Sequence, residues 1–440
     1  MQPVSSPRPI SREKRITTLK LLLLLRGNAI KLRGNKWVID AVKKPLVLRN
    51  YVKKGLNTNG SLLIIKRKKE GTVMNKQSID YTNQDFFLGI DVHKKSWKVT
   101  VRTNGMELKT LSMDPSPEQL YGYMHKRYPG GNYHSVYEAG FCGYWIDREL
   151  KRYGFNNIVI NPADVPTTQK EKSTKTDKVD SRKLARELDK GELKRIYVPD
   201  EFHQQLRSLC RLRFRVGQSQ TRVKNRIKGH LAFYGYVIPD QDEMSHWSRG
   251  FIEWLKTLEF SYGMGRDYLW LCIEELESHR RRLVEILRLL RRYCREYGIW
   301  EQVKNLRSVP GVGFVTAITL YGELMDMSRF RSIDQLASYA GLVPSVSGSG
   351  ERESTLGLSF RRNRYLRYLL IEAAWVAIRE DPALGYVFSR LIRRMTKQEA
   401  IVRIAKKLLN RIRYVWKHKE VYACGLISEM IESRSSKSQT

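Results

Sequence analysis

The apolar positions of this chain change their period along its length, and the changes divide it. From Phe86 onward, short apolar runs alternate with amphipathic stretches. Phe86-Phe87-Leu88-Gly89-Ile90 ends in Asp91, and Trp97-Lys98-Val99-Thr100-Val101 alternates with period two. Period two places every second side chain on one sheet face, so the pair reads as an antiparallel hairpin. A helix is expected over 118–127, a strand at Ser135-Val136-Tyr137-Glu138, a helix over 144–151 and a buried strand at Asn157-Ile158-Val159-Ile160. The polar stretch 167–176 reads as a loop and 177–187 as a helix. Strands first and a helix last make residues 85–198 an α/β domain.

Beyond residue 201 the period lengthens. Leu209, Leu212, Val216, Val223 and Ile227 recur every few residues, as do Leu269, Ile273, Leu276, Leu283, Leu287 and Leu290. An apolar stripe with Arg and Lys on the other faces predicts two long helices, an antiparallel coiled-coil arm over 201–300. The basic positions Arg222, Lys224, Arg226 and Lys228 on the first of them are candidate nucleic-acid contacts. Residues 301–432 read as a mainly α domain containing Leu306-Arg307-Ser308-Val309-Pro310-Gly311-Val312-Gly313. That segment is a candidate helix-hairpin-helix, in which Gly311 and Gly313 would let backbone N–H groups face a phosphate; an ordinary helix-connecting turn is the alternative. The Ser/Lys-rich 433–440 reads as a disordered tail.

Charge adds the strongest compositional signal. Lys and Arg number 80 against 45 Asp and Glu, a formal net charge of +35. An enzyme of small metabolites has no use for such a field. A polyanion partner explains it, because each neutralised phosphate releases condensed counterions; a membrane surface is the competing explanation. Hydrophobic residues at 41% leave ample material for buried cores. Residues 1–73 are basic, with only Glu13, Asp40 and Glu70 as acids, and show neither period. They read as sequence upstream of a start at Met74, or else as a nucleic-acid arm. The five cysteines form no C-x-x-C pair, which speaks against a zinc ribbon or a disulfide scaffold. The run Leu21–Leu25 is far short of the ~20 residues of a membrane span. The chain is read as cytoplasmic.

Four acids stand out by placement. Asp91 and Glu138 end strands, and Asp177 and Asp180 are spaced so that both carboxylates share one helix face. Carboxylates that converge repel unless cations neutralise them, and hard oxygen donors suit Mg²⁺ or Mn²⁺. Two such ions can stabilise the attacking and leaving oxygens of a phosphodiester displacement. Taken singly, each acid also reads as a surface charge or a helix cap.

The segments Gly89-Ile90-Asp91-Val92-His93-Lys94, Tyr137-Glu138-Ala139-Gly140 and Lys175-Thr176-Asp177-Lys178-Val179-Asp180-Ser181 resemble the DEDD domain of the insertion-sequence 110 family of bacterial transposases. Val309-Pro310-Gly311-Val312-Gly313, the run from Gln335 to Pro344 and Glu372-Ala373-Ala374 resemble that family's second domain. The resemblance implies an RNase H-like (RuvC-like) fold for 85–198, with Asp91, Glu138, Asp177 and Asp180 as the metal-binding tetrad. It further implies a serine nucleophile in a Ser-Gly element after the Gly-Leu-x-Pro segment, which points to Ser349, with Ser347 as the alternative. Its partners would be the DNA of element ends and target, a structured guide RNA, and further copies of the chain as a dimer or tetramer. A RuvC-like junction nuclease and a non-catalytic nucleic-acid-binding relative are the rival readings. A chain starting at Met74 is expected to unfold cooperatively and bind nucleic acid as the whole chain does. Thermal melts and a gel-shift series check this, and loss of the cooperative transition would reject it.

Overall fold

The run around Leu88 becomes the middle strand of a five-stranded sheet. In the computed structural model, which describes residues 30–33, 36–39, 80–165, 177–349, 352–358 and 362–423, the chain divides into two units, Met1–Ser78 and Ile79–Thr440. In the first unit, β1 (Ile30–Arg33) pairs antiparallel with β2 (Lys36–Ile39). This hairpin was not expected, because four residues of alternation do not stand out within a basic stretch. The other expectations for 1–73, for the loop at 167–176 and for the tail at 433–440 lie outside the described residues.

In the second unit, β3 (Asp85–Val92) pairs antiparallel with β4 (Trp97–Thr103), and β4 with β5 (Met106–Met113). After α1 (Pro117–Arg127), β6 (Asn132–Glu138) lies parallel to β3. After α2 (Trp145–Arg152), β7 (Asn156–Ile160) lies parallel to β6, giving the order β5-β4-β3-β6-β7. The strand β5 was missed: its outer half is exposed at an edge, so it lacks the apolar run that marks β3. Phe86, Leu88 and Ile90 are fully buried against Leu120, Met124, Ile146 and Leu150 of α1 and α2. By the pleat, Phe87, Gly89 and Asp91 face the other side. There α3 (Asp177–Asp189) packs across β3, β4 and β6, with Leu184 against Val136 and Ile160.

The helical remainder starts with α4 (Glu201–Phe233), α5 (Arg249–Thr257) and α6 (Gly263–Glu296). Val223, Ile227 and Leu231 share a core with Leu269, Ile273 and Leu276, whereas Cys210 and Val216 share one with Ile286 and Leu290. The late part of one long helix thus meets the early part of the other, so α4 and α6 run antiparallel. The unexpected α5 closes the far end with Phe251, Ile252 and Leu255. The near end merges into the core of α7 (Trp300–Arg307), α8 (Phe314–Leu324), α9 (Ile333–Ala340), α10 (Arg364–Glu380), α11 (Pro382–Leu391) and α12 (Lys397–His418). Between α9 and α10, β8 (Pro344–Ser349) pairs antiparallel with β9 (Arg352–Leu358), a hairpin in a region expected to be mainly α. Among the described residues no helix is long and apolar enough to cross a membrane.

A buried carboxylate ties these helices together. Glu323 on α8 is fully buried and accepts from Arg207 Nε (3.1 Å), Arg211 Nε (2.7 Å) and Asn363 Nδ2 (2.8 Å). Asn363 also caps α10 by accepting the Tyr365 and Leu366 N–H groups. Burial pushes the Glu323 carboxyl up, but the Arg211 hydrogen bond and the charges of Arg207 and Arg211 outweigh it and leave the pKa below the ordinary value. The network therefore adds stability that is complete above the ordinary carboxylate range and is lost as pH falls through the lowered pKa. Glu323→Ala is expected to cost about 2–4 kcal/mol near neutral pH, since it leaves two half-buried arginines without their partner. Urea titrations should show that gap closing toward acid pH; a gap that does not change with pH would reject the account.

Candidate active site

Because β3, β6 and β7 are parallel, their carboxyl ends share one edge of the sheet. Asp91 lies one residue from the end of β3 and Glu138 ends β6, with Ile90 opposite Tyr137 in register. The pleat puts Gly89 and Asp91 of β3, and Val136 and Glu138 of β6, on the face covered by α3. Asp180 projects from the first turn of α3, and Asp91, Glu138 and Asp180 all line one cleft of about 170 Å³. Three of the four acids singled out in the sequence thus line one cleft, although nearly ninety residues separate the first from the last. The fourth, Asp177, stands one helical turn before Asp180 along α3. His93 hydrogen-bonds Asp91 Oδ2 through Nε2 at 3.0 Å.

Gly89 makes this arrangement possible. A Cβ there would lie 2.2 Å from the Ser181 carbonyl oxygen and 2.4 Å from the Ala185 nitrogen, so helix backbone occupies the space of a side chain. Hydroxyls hold α3 in place: Ser181 Oγ and Thr100 Oγ1 are 3.0 Å apart, and Thr100 Oγ1 and Thr110 Oγ1 2.9 Å. Arg182 Nε donates to Glu107 Oε1 at 2.9 Å, and Arg102 Nε to Asp189 Oδ2 at 3.2 Å. The unexpected β5 therefore supplies two of the anchors of the helix that carries Asp180.

Among the described residues no three His, Cys, Asp or Glu side chains are gathered closely enough to hold an ion. The donors fit in kind, since three carboxylates give the hard oxygens that Mg²⁺ or Mn²⁺ takes. Cys142 also lines the cleft, and burial pushes its thiol up, which keeps it protonated and a poor ligand. Sequence reasoning missed Cys142 and the neighbouring Phe141; neither belongs to a pattern that marks a site.

The remaining candidates lie elsewhere. Ser349 ends β8 opposite Arg352, and Ser347, two residues earlier on that strand, pairs with Ser354. Gly311 has φ +79, and its N–H donates to Glu380 Oε2 at 2.9 Å. A Cβ there would meet the Ala373 carbonyl oxygen at 2.2 Å, so this glycine serves close packing on α10. Gly313 at the start of α8 has open space around it. On α4, Arg226 pairs with Glu275 at 2.7 Å and Lys224 sits over the Trp247 ring, whereas Arg222 and Lys228 have no carboxylate partner among the described residues.

A family model described as a transposase, of the DEDD type of the IS110 group, matches residues 88–235. A second, described as "Transposase IS116/IS110/IS902 family", matches residues 303–387. The chain belongs to the insertion-sequence 110 family of transposases. The Sinorhizobium fredii protein y4qE, which carries a transposase name, is 29% identical over 341 residues, covering 75% of this chain and 80% of its own. The transposase for insertion sequence element IS1111A of Coxiella burnetii is 27% identical over 300 residues, covering 66% and 79%. DNA transposition is thus the activity of this transposase and DNA its partner. DEDD transposase domains generally depend on a divalent metal. Gly89→Ala is expected to cost about 1–3 kcal/mol or more by overpacking, and to lower strand cleavage because α3 must move away from β3. Urea denaturation and a cleavage assay on the same preparation check both. Wild-type values in both would reject the close-approach argument.

Proposed function

We propose that this transposase cuts and rejoins DNA through an RNase H-like DEDD domain at 85–198 and a serine in the domain at 301–432, joined by a coiled-coil arm over 201–300. The observation that carries the reading is the cleft at the sheet edge, where Asp91, Glu138 and Asp180 converge from three elements. The strand order, an antiparallel trio followed by two strands parallel to β3, supports the RNase H-like assignment. With Asp177, the three acids form the proposed metal-binding tetrad. A bound Mg²⁺ pair would stabilise charge on the attacking and leaving oxygens of the phosphodiester.

Ser349 is the proposed nucleophile. Its oxygen attacks the phosphorus, the hydroxyl proton passes to solvent water, and the phosphodiester oxygen on the other side leaves and takes a proton from solvent to become a free hydroxyl. The bond energy stays in the serine–phosphate linkage, so rejoining needs no outside energy source. A structured RNA is the proposed guide and homo-oligomerisation the proposed assembly. The basic face of α4, with Arg222 and Lys228 free of carboxylate partners among the described residues, supports nucleic-acid contact along the arm. Gly313 at the opening of α8 is proposed as a phosphate contact, a role that Gly311 shares only if Glu380 yields its N–H.

Denaturing gels with labelled element-end DNA test the chemistry. Wild type in Mg²⁺ is expected to leave a protein–DNA adduct mapping to the peptide that holds Ser349. Asp91→Ala, Asp180→Ala and Ser349→Ala are each expected to lose it while binding DNA. An adduct that persists in Ser349→Ala overturns the nucleophile and points to Ser347. Cleavage without any adduct in wild type favours the metal-only nuclease.

A further inference from the structure

A larger cleft, of about 1190 Å³, opens between the carboxyl end of β7 and the helices α4, α9 and α10. Seven arginines line it against one acid, Asp164. Arg207 and Arg211 are engaged by Glu323. Among the described residues no carboxylate lies within ion-pairing distance of Arg195, Arg329, Arg331 or Arg362, and Arg195, Arg331 and Arg362 are exposed. Unneutralised guanidinium groups that share a concave wall repel one another, and the low-dielectric walls sharpen the field. An anion placed among them relieves that repulsion.

The wall also carries aromatic rings. The Arg329 guanidinium lies over Tyr197 (4.5 Å), Phe330 (4.7 Å) and Tyr339 (4.8 Å), while its Nη1 is buried with no hydrogen-bond partner. Arg364 lies over Tyr365 at 5.0 Å. Tyr197 is 44% exposed, which leaves ring surface open to the cleft. Arginines interleaved with rings suit a strand whose bases are unstacked: guanidinium groups take the phosphates, and rings and guanidinium planes take the bases.

The position of the cleft sharpens the reading. Its sheet-side wall begins at Asn161, directly after β7, and Ile160 at the end of β7 is the register partner of Glu138. Neighbouring strands lie about 4.8 Å apart, so the cleft opens beside the acidic edge. The opposite wall includes Ser338, Tyr339 and Arg362, which flank the hairpin bearing Ser347 and Ser349. We propose that this cleft is a binding site for the sugar–phosphate backbone of a single-stranded nucleic acid, guided between the acidic edge of the sheet and the serine hairpin. The site's placement rests on the function proposed above, but its occupancy does not.

Fluorescence anisotropy of the full chain with labelled oligo-dT, oligo-U and a duplex of equal length, all in EDTA, tests this without any cleavage. The double variant Arg195→Glu/Arg331→Glu is expected to bind single strands roughly ten-fold more weakly, with a salt slope shallower by about 1.4. Arg393→Glu/Arg394→Glu, an equal charge change on exposed residues elsewhere, should lose far less. Tyr197→Phe should retain binding and Tyr197→Ser weaken it. A preference for oligo-dT identifies a DNA strand as the occupant and one for oligo-U an RNA strand. Equal losses in the two charge-reversed pairs, or a duplex bound more tightly than either single strand, would overturn the proposal. Because no reaction is read, a serine or metal assignment that fails in the cleavage assay leaves this outcome untouched.

Discussion

At Gly89 the sheet offers no side chain, and the backbone of α3 lies in the space a Cβ would take. Asp91 stands two residues further along the same strand face, and Asp180 immediately precedes the helical residue whose carbonyl presses on Gly89. The backbone positions that carry these two carboxylates are therefore fixed by a contact that cannot relax by a change of rotamer. The helix is further held by Ser181 and Thr100 hydroxyls inside the fold and by Arg182 at its margin. In the proposed metal site, that rigidity would hold the two carboxylates ready for a cation.

The strands β3, β4, β6 and β7 and the helices α1 to α3 are legible in the sequence because each has a strong apolar run or a clean period. Those elements also fix where Asp91, Glu138 and Asp180 lie, so the acids were readable as a group. The edge strand β5 was not readable, since Met106, Glu107, Leu108 and Lys109 are exposed and no core demands a pattern from them. The helix α5 hides for a different reason: nine residues are too few to establish a period against the long helices on either side. The serine hairpin is the third omission. Pro344-Ser345-Val346-Ser347-Gly348-Ser349 carries one large apolar side chain, and small polar residues signal a turn more strongly than a strand.

The large positive charge is distributed with a purpose that composition alone does not reveal. Part of it is internal: Arg207 and Arg211 hold Glu323, and Arg411 with Tyr422 holds the fully buried Asp381. These pairs lock helices together and contribute little to the outer field. The arginines that matter for a polyanion are those left without a carboxylate, and in the second unit they include the walls of the cleft beside β7. A residue count of +35 thus overstates the diffuse field and understates its local concentration.

The same buried network that absorbs charge also reaches the chain on either side of the serine hairpin. Asn363, which donates to Glu323, accepts the first N–H groups of α10, and its own N–H donates to the Tyr339 carbonyl at 3.1 Å. Tyr339 stands near the end of α9, and its hydroxyl accepts from Arg207 while donating to the Glu323 carbonyl oxygen. Tyr339, five residues before β8, and Asn363, five residues after β9, are therefore tied to one carboxylate. Ser349 is the last residue of the first strand of that hairpin. Were Ser349 the nucleophile, as proposed, ordering it ahead of the substrate would remove the entropy of alignment before the bond to be cut arrives. In the proposed reaction that ordering would run through Glu323, which ties α4, α8 and the start of α10 together.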